Sequence, residues 1–142
     1  MTSFDLSEFL PYQLAAAAER VSRDFAERYR REFGISVPEW RVLAHLNQAG
    51  EVSVRDIEGR VAMEKSKVSR AATRLEAAGY VEKRVNEMDR RLVSLSLTAK
   101  GRELMTRLVP MALTFQADMQ RRIGPDAVRL EAVLKRILTE GK

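Results

Sequence analysis

The chain has 142 residues, with 25 basic and 20 acidic side chains, a formal net charge of +5 and 45% apolar residues. This length and composition fit one globular domain and exclude a disordered or fibrous chain. With no cysteine and one histidine, the sequence excludes a disulfide scaffold, a thiol redox sensor and a His- or Cys-rich metal site, and we expect no cofactor. No apolar run approaches the ~20 residues that span a bilayer, and the first residues do not form a signal peptide. We therefore expect a cytoplasmic protein with no membrane partner.

The basic residues are concentrated in one part of the chain. Between Lys65 and Arg91 there are eight basic and four acidic side chains, so this window carries +4 of the net charge of +5. A local basic cluster on a nearly neutral chain is typical of a surface that binds a polyanion. A solvated helix face rich in arginine has the same composition, and charge alone does not separate these two interpretations.

The N-terminal third of the chain predicts two helices. Apolar residues recur at spacings of three and four between Leu10 and Phe33, which indicates a long amphipathic helix that ends at Gly34. Ser36 and Glu39 form the pattern of a capping box, which begins a second helix that ends near Gly50. Because the first helix is long for a small domain, we expect its apolar face to pack against something beyond its own core. That face consists of Leu14, Ala18, Val21, Phe25 and Tyr29.

The middle of the chain predicts two more short helices and then two strands. Ser53 begins a short helix, and after a break a further helix spans roughly Lys65 to Ala78, with Gly79 as its C-cap. The pattern then changes to an alternation of apolar and polar residues. Tyr80 to Val85 and Leu92 to Leu97 are predicted as the two strands of one β-hairpin with an exposed, basic tip.

The C-terminal part predicts two further helices with broad apolar faces. Thr98 is the expected N-cap of the first, which contains Pro110 and should bend there. Gly124 and Pro125 are expected to start the last helix, whose apolar positions are Leu130, Val133, Leu134, Ile137 and Leu138.

Three short helices followed by a two-stranded hairpin are the element order of a winged helix-turn-helix. The predicted fold class is therefore mainly α with a small β-hairpin wing, a winged helix-turn-helix with flanking helices. In such a domain the third helix enters the major groove of DNA. We interpret its outward hydrogen-bond donors as major-groove contacts, although an ordinary exposed helix face has the same appearance; they are Lys65, Ser66, Lys67, Ser69, Arg70 and Arg74.

The tip of the hairpin carries an acid beside two guanidinium groups, in the order Asp89, Arg90, Arg91. An arginine held by a carboxylate is oriented before it meets DNA, and it suits the narrow minor groove, where the potential is most negative. The alternative is a salt bridge that only stabilises the turn, which is worth little at a surface.

Five short motifs follow one another along the chain. They are Ser36-x-x-Glu39-Trp40-x-Val42-Leu43, Lys65-Ser66-Lys67-Val68-Ser69-Arg70, Leu75-Glu76-x-x-Gly79-Tyr80-Val81, Asp89-Arg90-Arg91 and Leu97-Thr98-x-x-Gly101. At this spacing the chain resembles the MarR (multiple antibiotic resistance regulator) family of winged-helix transcription factors. The resemblance is weakest before Leu14 and after Gly124. Lys67 departs from the small hydroxyl residue that the family often has, which leaves the base-reading role of that position open.

The resemblance implies a homodimer built as one compact domain. Residues 1–34 and 99–142 would form the dimerisation helices, and residues 35–98 the DNA-binding winged region. The two winged regions of the dimer would then meet successive major grooves of a pseudo-palindromic operator with half-sites ~10 bp apart. By resemblance, Arg91 enters the minor groove with Asp89 orienting it, and Ser53 and Arg55 contact the DNA backbone.

The predicted function is therefore sequence-specific binding of double-stranded DNA by a dimeric transcriptional repressor. Many regulators of this kind release DNA when a small phenolic or carboxylate compound binds between the dimer region and the winged region. Arg41 and His45 lie four residues apart on one helical face, and Arg20 is a third candidate, so the three residues suggest a site for an aromatic carboxylate or phenol. A solvated polar face or a structural hydrogen bond explains the same residues, and we favour that interpretation.

Two other classes of function remain as alternatives. A winged-helix module that binds protein has no need of the basic cluster at Lys65–Arg91. An enzyme would depend on His45 with a nearby carboxylate, and no spacing in the chain supports such a pair. We therefore expect no catalytic residue.

Overall fold

The structure is a computed structural model that describes residues 3–140. It is mainly helical with a small sheet, as the sequence predicts. The chain divides into two compact units, one ending at Arg107 and the other beginning at Leu108, and each is described by itself. The elements in chain order are α1 (Leu10–Phe33), α2 (Val37–Ala49), β1 (Val52–Ser53), α3 (Val54–Arg60), α4 (Lys65–Ala77), β2 (Val81–Val85), β3 (Val93–Leu97), α5 (Ala99–Ile123) and α6 (Ala127–Thr139).

Local sequence signals set the ends of the first three helices. Gly34 follows α1 in the left-handed conformation, with φ of 69°, and its N–H donates to the carbonyl of Arg30. Ser36 and Glu39 form both halves of the capping box at the start of α2. The Ser53 hydroxyl accepts from the backbone N–H of Asp56 and so caps α3. These three helix ends confirm the sequence predictions.

The sheet has three strands rather than the two that the sequence predicts. Strands β2 and β3 pair antiparallel, with Val81 opposite Leu97 and Val85 opposite Val93. The two-residue strand β1 then adds to the other edge of β3, with Val52 opposite Leu95. The sequence analysis missed β1 because two residues are too short for an alternating pattern to be visible.

The winged region builds its core from α2, α3, α4 and the sheet. The stripe of α4 that faces this core consists of Val68, Ala71, Ala72 and Leu75, none of which is more than 1% exposed. Ala78, which the sequence assigned to the same stripe, is exposed, because the helix ends at Ala77. Leu43 and Leu46 of α2, Ile57 of α3 and Leu95 of β3 belong to the same core.

The start of α5 is fastened to the residues that follow α4 by hydrogen bonds and a close backbone approach. The Thr98 hydroxyl donates to the carbonyl of Gly79 at 2.6 Å and accepts from the N–H of Gly101 at 3.1 Å. Lys100 Nζ donates to the carbonyl of Ala78 at 2.7 Å. A Cβ at position 101 would stand 2.1 Å from the carbonyl oxygen of Tyr80, so only glycine fits this close approach.

The long helix α1 changes character along its length. Ala26 and Tyr29, near its C-terminal end, are buried. Leu14 and Ala18 of the predicted apolar face are exposed, whereas Val21 and Phe25 are half-buried. Within one chain, the predicted apolar face of α1 is therefore covered only toward the C-terminal end of the helix.

The second unit comprises the end of α5, a 3₁₀ turn at Gly124–Asp126 and helix α6. The 3₁₀ turn precedes α6, so the last helix begins three residues later than Gly124. In this unit Leu108, Phe115 and Ala127 are buried. The five apolar positions that the sequence predicts for the last helix are all exposed in the single chain.

Candidate nucleic-acid interface

The outer face of α4 carries the polar residues that the sequence assigns to the major groove. Because the apolar stripe takes one side of the helix, the other side is exposed. The exposed residues are Lys65, Ser66, Lys67, Ser69, Arg70, Thr73 and Arg74. No side chain among the described residues caps the first turn of α4, so no side-chain acceptor pairs with its first backbone N–H groups, the groups that bind phosphate at other helix N-termini.

Three of these side chains have partners within the protein. Arg70 Nε donates to the carbonyl of Ser66 at 3.3 Å, and the Thr73 hydroxyl donates to the carbonyl of Ser69. Arg74 lies 3.9 Å from the carboxylate of Glu39, the capping residue of α2. Arg74 is therefore turned partly toward α2, a contact that sequence reasoning missed.

The tip of the wing, the hairpin formed by β2 and β3, is held by a side-chain-to-backbone turn. Asn86 Oδ1 accepts from the N–H groups of Met88 and Asp89 at 2.8 and 3.1 Å. The N–H of Asn86 donates to the carbonyl of Leu92, and that of Leu92 donates to the carbonyl of Asp89. These bonds define the conformation of the loop that carries the two arginines.

Asp89 holds Arg91 in the way that the sequence suggests. Its carboxylate accepts from the backbone N–H of Arg91 at 3.0 Å and from Nε at 3.2 Å. These hydrogen bonds lower the pKa of Asp89 below its ordinary value of 3.8. The side chain of Arg91 remains 88% exposed, so its guanidinium is both oriented and accessible. Arg90 is exposed beside it.

A cavity of about 250 Å³ lies between α3, α4 and the wing; we refer to it as the cationic cleft. Its lining brings together five of the residues that the sequence proposed for DNA contact, namely Ser53, Arg55, Lys65, Ser69 and Arg91. Lys83 of β2 also lines it and was missed, although its place in the alternating strand pattern is the signal that could have found it. With Glu58 as the one acid among the lining residues, the cleft has a net charge of +3.

A second cavity, of about 450 Å³, lies between α1 and α2; we refer to it as the arginine cavity. Arg23, Arg30 and Arg41 line it together with Glu19 and several small residues. Of the three residues that the sequence proposed for a ligand, only Arg41 is part of this lining. Arg20 and His45 are not among the residues that form it.

Two buried polar groups lie on α1 and α2. Burial raises the pKa of the Tyr29 hydroxyl to about 12, against the opposing positive charges of Arg30 and Arg41. Tyr29 stacks on Trp40 with 5.8 Å between ring centroids. His45 Nε2 is buried without a hydrogen-bond partner. The sequence analysis considered a polar site or a solvated face for His45, whereas in the structure its Nε2 atom is packed away from solvent.

The described residues offer little for other kinds of site. Within residues 3–140, no group of three histidine, cysteine or acidic side chains is placed to hold a metal ion. No helix in the same range is both long and apolar enough to cross a membrane.

A protein-family model matches the central part of the chain, which contains most of the winged region. The family model described as MarR family matches residues 33–92. A transcriptional repressor, IacR of Pseudomonas putida, is 28% identical over 74% of this chain and 62% of its own length. The regulator TtmR of Methylorubrum extorquens is 31% identical over 72% of this chain and 54% of its own length. The alignments thus span less than two thirds of these two relatives.

Solved structures extend the similarity to nearly the whole chain. A MarR family transcriptional regulator from Silicibacter pomeroyi DSS-3 is 31% identical, covers 96% of this chain and 97% of its own, and superposes with a TM-score of 0.83. BpsR of Bordetella bronchiseptica shares the fold, with 23% identity, coverage of 99% and 100%, and a TM-score of 0.83. IacR, TtmR and the Silicibacter protein are transcriptional regulators rather than enzymes. On the family model, the Silicibacter relative and the fold, the chain belongs to the MarR family of winged-helix transcriptional regulators.

Proposed function

We propose that the protein is a dimeric, sequence-specific DNA-binding transcriptional repressor. The observation that carries the proposal is the cationic cleft, where residues of α3, α4 and the wing meet around a cavity with Arg91 held by Asp89. An oriented, accessible guanidinium beside a helix rich in donors fits simultaneous contact with a major groove and the adjacent minor groove.

In this proposal each DNA contact has its own role. Helix α4 lies in the major groove, and its exposed donors reach base edges and phosphates: Lys65, Ser66, Lys67, Ser69, Arg70 and Arg74. Arg91, with Arg90 beside it, enters the minor groove. Ser53 and Arg55 contact the backbone from the start of α3.

The dimer is proposed on the exposed apolar surface of the terminal helices. Leu10 in α1 is 64% exposed and Leu138 in α6 is 70% exposed. Exposed apolar patches of this kind mark interfaces between polypeptides. We assign residues 1–34 and 99–142 to dimerisation and residues 35–98 to DNA binding, so that a pseudo-palindromic operator matches the twofold axis.

A small effector is proposed on the arginine cavity. Three arginines beside small apolar residues suit an aromatic carboxylate or phenolate. The BpsR structure concerns regulation of DNA binding by 6-hydroxynicotinic acid, which is a molecule of this class. Arg41 is the effector contact that we retain, with Arg20 and His45 as candidates outside the lining. The repressor role is supported by the relative IacR, which is named a transcriptional repressor.

The test is selection of bound sequences from random duplex DNA with the purified full chain, followed by affinity measurements on the selected operator. We expect a palindromic motif, a dimer on DNA and a steep loss of affinity with salt, because several phosphates are neutralised per dimer. Arg91→Ala should weaken binding by roughly 1–3 kcal/mol and reduce the A·T preference under the wing.

Arg31→Ala is the matched control for Arg91→Ala. Arg31 is an exposed arginine at the end of α1, so its loss removes the same charge at a distance from the cationic cleft. Equal affinities for the wild-type chain and Arg91→Ala, or no salt-sensitive DNA binding at all, would contradict the proposal. The second outcome would favour a winged-helix module that binds protein.

A further inference from the structure

The turn between α3 and α4 contains an uncommon backbone conformation. Ala62 has φ of 55°, the one positive φ at a residue other than glycine among residues 3–140. The left-handed region is unfavourable for alanine because its Cβ crowds the following carbonyl, so such a residue persists only when its surroundings hold it there. The turn precedes Lys65, the first residue of α4, by three positions.

One side chain from another helix reaches this turn. Arg41 Nη1 donates to the carbonyl of Val61 at 3.3 Å and to the carbonyl of Ala62 at 3.4 Å. Arg41 lies between Trp40 and the buried Val42 on α2, so its backbone is fixed by the core. The two carbonyls flank the φ and ψ bonds of Ala62. A donor that bonds to both of them therefore favours the left-handed conformation over the alternatives.

The conformation of this turn bears on the direction of α4. The apolar stripe of α4 packs on α2, and small shifts of a helix across such a packed interface are one of the ways in which bound ligands act on proteins. If Ala62 returned to a right-handed conformation, the chain would enter α4 at a different angle. The donors on the outer face of α4 would then meet a major groove in a different register.

Arg41 also belongs to the lining of the arginine cavity, together with Arg23 and Arg30. A carboxylate bound there offers its guanidinium a charged acceptor. A carboxylate adds the attraction of opposite charges and can accept two parallel bonds from a guanidinium, whereas the two bonds to the turn carbonyls are long. An anion in this cavity therefore competes with the turn for the same guanidinium.

We propose that Arg41 is a positioning residue for α4, which it orients by holding the turn at Ala62, and that an organic anion in the arginine cavity weakens DNA binding by drawing Arg41 away. The proposal rests on the proposed DNA-binding function and adds the route by which the cavity acts on the helix. Neither half depends on a contact between Arg41 and DNA.

The first experiment combines two substitutions, Arg41→Gln and Ala62→Gly, in a double-mutant cycle. Operator affinity is measured by fluorescence anisotropy with the full chain. Arg41→Gln should weaken binding by about tenfold, because the turn relaxes once its charged donor is lost. In the Ala62→Gly background the same substitution should cost about twofold or less, because glycine adopts the left-handed conformation without strain.

Arg31→Gln is the control for the loss of one positive charge and should remain within about twofold of the wild-type chain. Thermal unfolding by circular dichroism checks that all variants are folded. A merely structural role for Arg41 would give the same cost in both backgrounds. The proposal is overturned if Arg41→Gln lowers operator affinity equally in the Ala62 and Ala62→Gly backgrounds. It is also overturned if Arg41→Gln binds the operator as tightly as the wild-type chain.

The second experiment needs no DNA, so it separates failure of this proposal from failure of the proposed function. Amide hydrogen exchange is measured for the segment 61–65. Exchange should be at least about tenfold faster in Arg41→Gln than in the wild-type chain, because the opening of the turn becomes more favourable. Unchanged exchange overturns the role of Arg41 even if the protein binds DNA.

The anion half is tested with sodium benzoate against sodium chloride at equal ionic strength. Benzoate should accelerate exchange of the segment 61–65 and weaken operator binding in the wild-type chain but not in Arg41→Gln. Benzoate effects of equal size in both proteins, or none in the wild-type chain, would overturn the competition for Arg41.

Discussion

The winged region and the terminal helix α6 start from the same kind of sequence pattern and end in different environments. The apolar stripe of α4 is at most 1% exposed, whereas the stripe from Leu130 to Leu138 in α6 is 38–70% exposed in the single chain. Both stripes have the helical period of 3.6 residues. Periodicity therefore identifies which face of a helix is apolar, but it does not say whether the same chain covers that face.

The largest expected effect tests how far the winged region depends on the helix that follows it. Gly101→Ala should lower the free energy of unfolding by about 3 kcal/mol, because the new Cβ would overlap the carbonyl oxygen of Tyr80 and force α5 away from β2. The measurement is urea unfolding of the full chain followed by circular dichroism.

Gly59→Ala is the matched control, since nothing lies within 4 Å of a Cβ at that position in α3. It should raise the stability by roughly 0.5–1 kcal/mol, because alanine is the better helix former. Equal unfolding midpoints for the two variants would show that the close approach at Gly101 is not a constraint on the fold.

The second prediction concerns the exposed stripe of α6. Ile137→Glu should raise the dissociation constant of the dimer by about tenfold or more, because it buries a carboxylate in the proposed interface. Light scattering after size exclusion, over a range of concentrations, measures the mass. Ala132→Glu adds the same charge on the opposite face of α6 and should leave the mass unchanged. Identical masses for the two variants would remove the support for a dimer through this stripe.

Local signals made most of the winged region predictable. The bounds of α1, the capping box at Ser36 and the cap at Ser53 follow from residues within a few positions of one another. The contact between Asp89 and Arg91 is equally local, since only two positions separate them. Such interactions are determined by nearby sequence, so they are visible in a single chain without knowledge of the tertiary structure.

Apart from Lys83, the missed features depend on residues far apart in the sequence. Strand β1 is defined by its pairing with β3, about forty positions away. Arg41 reaches the turn at Val61 and Ala62 from twenty positions upstream. The hypothesis of a site at Arg20, Arg41 and His45 used the helical spacing of Arg41 and His45. The cavity that Arg41 lines is shared with Arg23 and Arg30 instead. Spacing along a helix does not specify which neighbouring element it meets.

The third prediction tests whether the local contact between Asp89 and Arg91 determines the base preference of the wing. Asp89→Asn should reduce the A·T preference under the wing by about threefold, because Arg91 loses its charged partner and its fixed orientation. Total affinity is the wrong readout, since removal of a negative charge near DNA favours binding by itself. Sequence selection with both proteins measures the preference, and Glu87→Gln, an exposed acid on the same loop, is the control. An unchanged base preference in Asp89→Asn would show that the contact only stabilises the loop.

Because Asp89 has a lowered pKa in the folded protein, its contact with Arg91 is present above the ordinary pKa of 3.8 and is lost as the pH falls through the lower folded value. The preference under the wing should therefore stay constant between about pH 5 and 8. A loss of preference within that range would contradict the assignment of this orientation to the ionised carboxylate.

The last prediction examines α1, where exposed and buried residues meet in one helix. Tyr29 lies in the buried part, and its pKa is raised from 10.0 to about 12, so the folded protein disfavours the phenolate. The contribution of this group to stability is complete below pH 10 and is lost as the pH rises from 10 toward 12, because the unfolded chain ionises first. Between pH 9 and pH 11 the wild-type chain should lose roughly 1 kcal/mol more stability than Tyr29→Phe. Urea unfolding at both pH values measures this difference. Equal losses in the two proteins would mean that Tyr29 reaches solvent, and that the core of the winged region ends before α1.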